Sequence, residues 1–220
     1  MVISMEKRLE SLVEVAERTI IDMIITGKLK LGSRITESEL AEMLSLSTAP
    51  VHQALHILGR MGIVRIRPRK GTYVFDFTIE DIRKMTIARY MIESEALRQA
   101  CSNNLGRFCL EMSRIISRSD IEFTMDNMTQ YLKHDADFHE LLFNYADNEF
   151  LTMASNAITI KVMVLWYLSI LDNYTVKDME DSFNDHHEIL EKIIANDIDG
   201  ACCILKKHLE RLENIYLRDK

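Results

Sequence analysis

Apolar residues recur at three- and four-residue spacing from the start of the chain. Over residues 6–26, Leu9, Leu12, Val13, Ala16, Ile20, Met23 and Ile24 line one side of an expected helix. Gly27 suits the left-handed position just past its end. Thr36 and Glu39 can satisfy each other's free amides, which opens a short helix over about 37–44. Ser47 or Thr48 caps the next helix, whose first turn tolerates Pro50 because its amides are unpaired anyway. Val51, Ala54, Leu55, Leu58 and Met61 form its apolar stripe, and Gly62 stops it. The period then drops to two. Ile63–Arg67 and Thr72–Phe75 alternate as strands, with Pro68-Arg69-Lys70-Gly71 as the hairpin tip between them.

Two helices joined by the tight Ser45-Leu46-Ser47 turn, a third helix behind them and a hairpin make a winged helix-turn-helix over residues 1–77. From Thr78 the helical period takes over. Thr78 with Asp81 caps a segment running to about Cys101, and Asn103-Asn104-Leu105-Gly106 breaks it. Further helices are expected near 107–117, 121–146, 148–171, 176–195 and 197–218, separated by cap-type Asp, Asn and Ser residues. The nearly continuous apolar run 158–171 predicts a buried helix. Residues 78–220 therefore read as an all-α antiparallel helical bundle, and the fold as mainly α.

Composition sharpens this picture in two respects. With only 7 Gly and 2 Pro in 220 residues, long helices with short joints are favoured over a β-rich fold. The net charge of −7 is unevenly spread. Residues 1–77 hold 11 basic against 9 acidic side chains, and the remainder holds 16 against 25. A mildly basic front and an acidic back suggest two domains with different partners. No uninterrupted apolar run approaches the roughly 20 residues that span a bilayer, so no membrane partner is expected. The N-terminal stretch lacks the apolar core of a signal peptide, and a cytoplasmic location is the expectation. Cys101, Cys109, Cys202 and Cys203 lack metal-type spacing and read as reduced thiols.

Candidate chemistry lies in the back region, which holds five of the seven histidines. Asp135 and His139 stand four apart on one helical face. His186 precedes Ile189 and Leu190 on a later helix, and His208 adjoins Leu209 on the last. Three imidazoles and a carboxylate facing inward would suit a first-row divalent metal. Spacing alone does not establish that these helices converge.

The segment 32–64 resembles the winged helix-turn-helix of the GntR transcription regulators. It follows their G-x-x-L-x-E-x-x-L-A…V-S-x-x-P-V-x-x-A-L pattern almost continuously. The resemblance implies a second helix seated in the major groove and a basic wing on flanking phosphates. By that resemblance Ser38, Ser47, Thr48 and His52 belong to the DNA-reading surface, with Arg65, Arg67, Arg69 and Lys70 on the wing. Relatives usually carry arginines where this chain has Thr48 and His52, and often at Ser38. Each bidentate Arg–base pair contributes about 1–3 kcal/mol of discrimination, so altered specificity or weaker binding is expected.

The back region resembles the FCD effector domain of the FadR subgroup. Metal-binding members carry D-x-x-x-H, then H-x-x-I-L, then a His-Leu about 22 residues on. Asp135, His139, His186 and His208 fill those positions, and His186 rather than His187 keeps the register. The resemblance implies a divalent transition metal, Zn²⁺ or Ni²⁺, and a small carboxylate effector. Arg89 either pairs with that effector or forms a helix-surface ion pair with Glu93. A homodimeric regulator on an inverted-repeat operator in double-stranded DNA follows, and not an enzyme. Two other readings stand beside it: a metal-dependent enzyme, and a non-sensing protein with a structural metal and a degenerate DNA-binding domain.

Overall fold

A computed structural model describes residues 11–117, 124, 128–172, 174–216 and 218. The chain divides into two compact units, Met1–Phe77 and Thr78–Lys220.

In the front unit, helix α1 spans Leu12–Ile25, strand β1 Arg34–Ile35, α2 Glu37–Leu44, α3 Thr48–Arg60, β2 Val64–Arg67 and β3 Gly71–Val74. Helix α1 starts later than its apolar pattern predicts. Ser11 is extended and caps it, accepting from the Glu14 amide while its own amide donates to the Glu14 carboxylate. Leu12, expected on the buried stripe, is consequently exposed, and the predicted start at residues 6–10 lies outside the described residues. Gly27 takes a φ of 69° just past the helix end, as its position predicts.

The Thr36 hydroxyl accepts from the Glu39 amide, but the return bond differs from the expected reciprocal cap. The Glu39 carboxylate is met by the Thr36 hydroxyl instead of the Thr36 amide. Ser45, in the left-handed conformation at φ 54°, turns the chain from α2 towards α3. Ser47 is the N-cap of α3, yet its hydroxyl makes no capping bond. Ile20, Ile24, Leu40, Val51, Leu55, Leu58, Ile63 and Phe75 close the core.

The sheet has order β1-β3-β2, antiparallel throughout. Strand β1, two residues long, carries no alternation to read and was absent from the sequence pattern. It is held because the Val74 amide donates to the Ser33 carbonyl and Gly32 donates to Phe75.

The back unit comprises α4 Ile79–Ser117, α5 Met128–Ala146, α6 Glu149–Asp172, α7 Val176–Ile194 and α8 Ile198–Tyr216. Thr78 and Asp81 form the predicted cap of α4. The predicted break at 103–106 is a kink inside this helix, where Asn104 leaves helical geometry (φ −158°, ψ 73°). Its side chain then accepts from the Arg107 amide and starts the next turns, while Asn103 donates to the carbonyls of Tyr145 and Ala146 at the end of α5. The helix start predicted near 121 falls largely outside the described residues.

Leu97, Phe108, Met112, Phe138, Leu142, Ile189 and Leu205 interlock α4, α5, α7 and α8 around one core. A second cluster of Tyr131, Tyr174, Met179 and Ile215 sits beside it, with Trp166 packed against it.

Helix α6 corrects an expectation. The apolar run 158–171 predicts burial, but Val164 and Leu165 are its fully buried residues among those described and Met163 is exposed; Phe150 and Met153, earlier in the helix, are exposed too. The stretch Glu149–Tyr167 also reaches a mean hydropathy of 1.3 over 19 residues, the length and composition of a membrane span. Asn156 and Lys161 interrupt that stretch.

Candidate metal centre and DNA-reading face

Asp135 and His139 lie one turn apart on α5, and the 3.6-residue period points both into the bundle. Helix α7 contributes His186 and helix α8 contributes His208. All four are buried, and one donor atom from each lies within 4.8 Å of the others. His139 Nε2 is 3.0 Å from His208 Nε2, which is 3.4 Å from His186 Nε2. The Asp135 carboxylate faces all three at 3.4–3.7 Å. Donor atoms bound at about 2.0–2.2 Å to one ion are themselves roughly 3–4 Å apart, so this spacing fits a divalent cation.

Outer partners orient the imidazoles. His139 Nδ1 lies 2.7 Å from Glu93 Oε2. A carboxylate only accepts, so His139 Nδ1 donates to it, and Nε2 is the nitrogen turned towards the centre. His208 Nδ1 faces Ser182 Oγ at 3.4 Å, and the Ser182 hydroxyl donates to Asp135 Oδ1 at 3.4 Å. His208 Nε2 also faces the centre. Two imidazole nitrogens 3.0 Å apart are joined either by a proton or by a metal ion. The donor set fits a metal by distance and by the chemistry of its three imidazoles and one carboxylate.

The electrostatics of the surround agree. Burial lowers the His186 and His208 imidazoles well below their ordinary range, keeping them neutral as ligands must be. Burial also raises Asp135 above the ordinary carboxylate value, against the pull of His139 and Arg89. A cation at the centre would reverse that cost. Burial alone would raise Glu93 too, but Arg89 and His139 outweigh it and hold its carboxyl at about 2.

Glu93 is thus a fixed anion that orients His139, a role the sequence reading missed. Asp185, buried between Lys207 and Arg211 at 2.9 and 2.6 Å, stands 3.8 Å from His208 Nδ1. His186 stacks on Phe138 with ring centroids 3.8 Å apart. Its neighbour His187 is exposed against Phe183.

Arg89 does pair with Glu93, as one of its two readings expected, but in the interior and not on a helix surface: Arg89 is only 13% exposed. It lines a cavity of about 10 Å³ together with Trp166, Tyr174, Ser182, His208 and Arg211. That volume admits about one water.

In the front unit, Ser38, Ser47, Thr48 and His52 are all exposed along α2 and α3. Glu37 Oε1 lies 2.7 Å from His52 Nδ1, and the His52 and His56 rings meet edge-on at 4.5 Å. Arg65, Arg67, Arg69 and Lys70 are exposed on β2 and the wing turn, with Arg69 at φ 62°. The exposed face of α3 also holds Gln53, His56 and Arg60. The sequence reading passed over these because the family pattern leaves their positions open.

The FCD domain family matches residues 84–211, and the family of bacterial regulatory proteins, gntR family, matches residues 12–74. The chain belongs to the GntR family and carries an FCD domain. It is 23% identical over 181 residues to the HTH-type transcriptional repressor RspR of Escherichia coli, covering 82% of this chain and 78% of that one. The gluconate operon transcriptional repressor of Bacillus subtilis is 22% identical over 203 residues, covering 88% of this chain and 82% of the repressor. The fold of E. coli McbR/YncC superposes with a TM-score of 0.74 at 18% identity, over 96% of this chain and 99% of that one. This GntR–FCD chain is a DNA-binding transcriptional regulator, and the matched families and relatives are regulators, not enzymes.

Proposed function

We propose that this GntR–FCD protein is a homodimeric regulator in which Asp135, His139, His186 and His208 hold one divalent metal that receives a small carboxylate effector. The observation that carries the reading is the convergence of three imidazole nitrogens and one buried carboxylate within 4.8 Å of one another, with His139 Nε2 and His208 Nε2 3.0 Å apart. Three His and one Asp fill four coordination positions, and Zn²⁺ or Ni²⁺ accepts a further oxygen ligand at such a set. The effector carboxylate takes that position. Arg89 and Arg211, both at the adjoining cavity, supply guanidinium groups for its charge.

A cavity of about 10 Å³ holds a water and no organic acid. Effector entry therefore requires Trp166 or Arg211 to move. That movement is the conformational difference through which ligand shifts the population of DNA-binding states. In the front unit, α3 reads one half of an inverted repeat, and the two-fold of the dimer repeats the contact. Thr48 and His52 read bases where relatives use arginine, and Arg65, Arg67, Arg69 and Lys70 hold the flanking backbone.

The test is selection of bound genomic fragments by metal-loaded protein, followed by challenge of the best complex with a panel of small organic acids. A palindromic site, and one acid that changes its affinity in the wild type but not in His139→Ala, is the expected result. A palindromic site indifferent to every acid and to metal stripping rules out the sensing role and leaves the metal structural.

A further inference from the structure

The outer face of the front sheet gathers three exposed arginines, apart from the exposed face of α3. Register fixes it. Arg34 on β1 and Arg65 on β2 both pair with Tyr73 on β3, and directly paired residues project to the same face. Arg67 pairs with Gly71, two residues before Tyr73, so it projects there too. The opposite face carries Ile35, Val64 and Val74, which are buried. Three arginines from two outer strands thus surround one tyrosine on the central strand.

The side chains are arranged and not merely adjacent. The Arg67 guanidinium lies over the Tyr73 ring, 5.2 Å from its centroid. The Tyr73 hydroxyl donates to the Lys70 carbonyl, tying the ring to the wing turn. Arg34 crosses to the start of β3, where a Cβ on Gly71 would come within 2.7 Å of its Nε. Gly71, with φ 108°, is therefore what lets Arg34 lie flat against the sheet.

No carboxylate among the described residues pairs with Arg34, Arg65 or Arg67, and all three are exposed. In the back unit, by contrast, Arg83, Arg89, Arg98, Arg114, Arg211 and Arg218 each have a carboxylate partner, although Arg107 has none among the described residues. Exposed guanidinium groups gathered on one sheet face without carboxylate partners suit an external anion.

We infer that Arg34, Arg65 and Arg67, ordered around Tyr73, grip the sugar–phosphate backbone of the bound duplex. Two strand spacings separate Arg34 from Arg65 by about 10 Å, which long arginine side chains can carry to separate phosphates of one duplex. This surface adds affinity without base preference, and so offsets the arginines missing from α3. Arg34 is its defining member, because it lies outside the wing. The inference rests on the DNA-binding role of the front unit and adds a residue and a mode of contact to it.

The experiment measures the dissociation constant of the full-length protein for its selected site and for a scrambled duplex of equal length, across a salt series. The variants are Arg34→Gln, Arg65→Gln and Arg34→Lys. One phosphate contact contributes a slope of about 0.9 in log K against log salt, about eightfold in affinity at 0.1 M salt. Arg34→Gln and Arg65→Gln should each weaken both duplexes by that same factor and reduce the slope by about one, with Arg34→Lys near wild type. Thermal melts matching wild type exclude misfolding as the cause. Weakening on the selected site alone would overturn the inference in favour of base reading. Unchanged or tighter binding to both duplexes would overturn it. Wild type that binds neither duplex would instead mean that the DNA-binding role itself fails.

Discussion

Glu93 and His139 lie 46 residues apart and meet through a 2.7 Å contact between Oε2 and Nδ1. The contact fixes which imidazole nitrogen faces the centre, and Arg89 in turn fixes Glu93. Removing such an outer partner typically weakens metal affinity 10–100-fold. Glu93→Gln should do so while leaving all four donors in place. Isothermal titration of chelator-treated protein with Zn²⁺ measures the change, and an affinity equal to wild type would show that Glu93 does not orient His139.

Metal-free protein should lose stability as pH falls below about 6.5. Folded His186 and His208 resist protonation, whereas the unfolded chain takes those protons near the ordinary value of 6.5. Their contribution is thus complete above that pH and declines below it. Glu93 acts in the same direction further down, since its stabilisation is present above 4.5 and is lost as pH falls towards about 2. Asp135, raised by burial, works oppositely in the carboxylate range. Urea melts from about pH 5 to 8 check the histidine part, and a flat profile would contradict it.

His52→Arg should tighten operator binding. The substitution restores a bidentate donor beside Glu37, and a good Arg–base pair contributes about 1–3 kcal/mol. The gain should be confined to sites with guanine at the facing position. Competition binding against single-base variants of the site separates this from a uniform charge effect.

Gly71→Ala should destabilise the front unit by about 1–3 kcal/mol, the usual cost of a non-glycine residue held in a sparsely populated conformation. The clash with Arg34 adds to the strain. Leu97→Ala, at a fully buried core position of the back unit, should cost about 2–5 kcal/mol and affect that unit instead. Hydrogen exchange resolved by segment distinguishes the two.

The sequence patterns resolved unevenly, and for physical reasons. Helices α2 and α3 and the hairpin were legible because apolar period and turn residues agree there. Strand β1 was not, because two residues cannot show a period and its pairing comes from β3. Helix α6 misled because apolar content does not reveal which neighbour covers it. Asp135, His139, His186 and His208 were legible through spacing and family resemblance, and the fold brings them together. Glu93 and Ser182 carry no local signal, since their partners lie on other helices. Asp185, adjacent to His186, was visible only as part of a motif.

The central claim is that the buried donor cluster holds a divalent metal, and titration of stripped protein with Zn²⁺ or Ni²⁺ tests it most directly. One ion should bind per chain, displacing more protons per ion and binding more weakly as pH falls, and His139→Ala or His186→Ala should abolish tight binding. Binding no tighter than that of those variants would contradict the claim, and would mean that a shared proton, not a metal, joins His139 to His208.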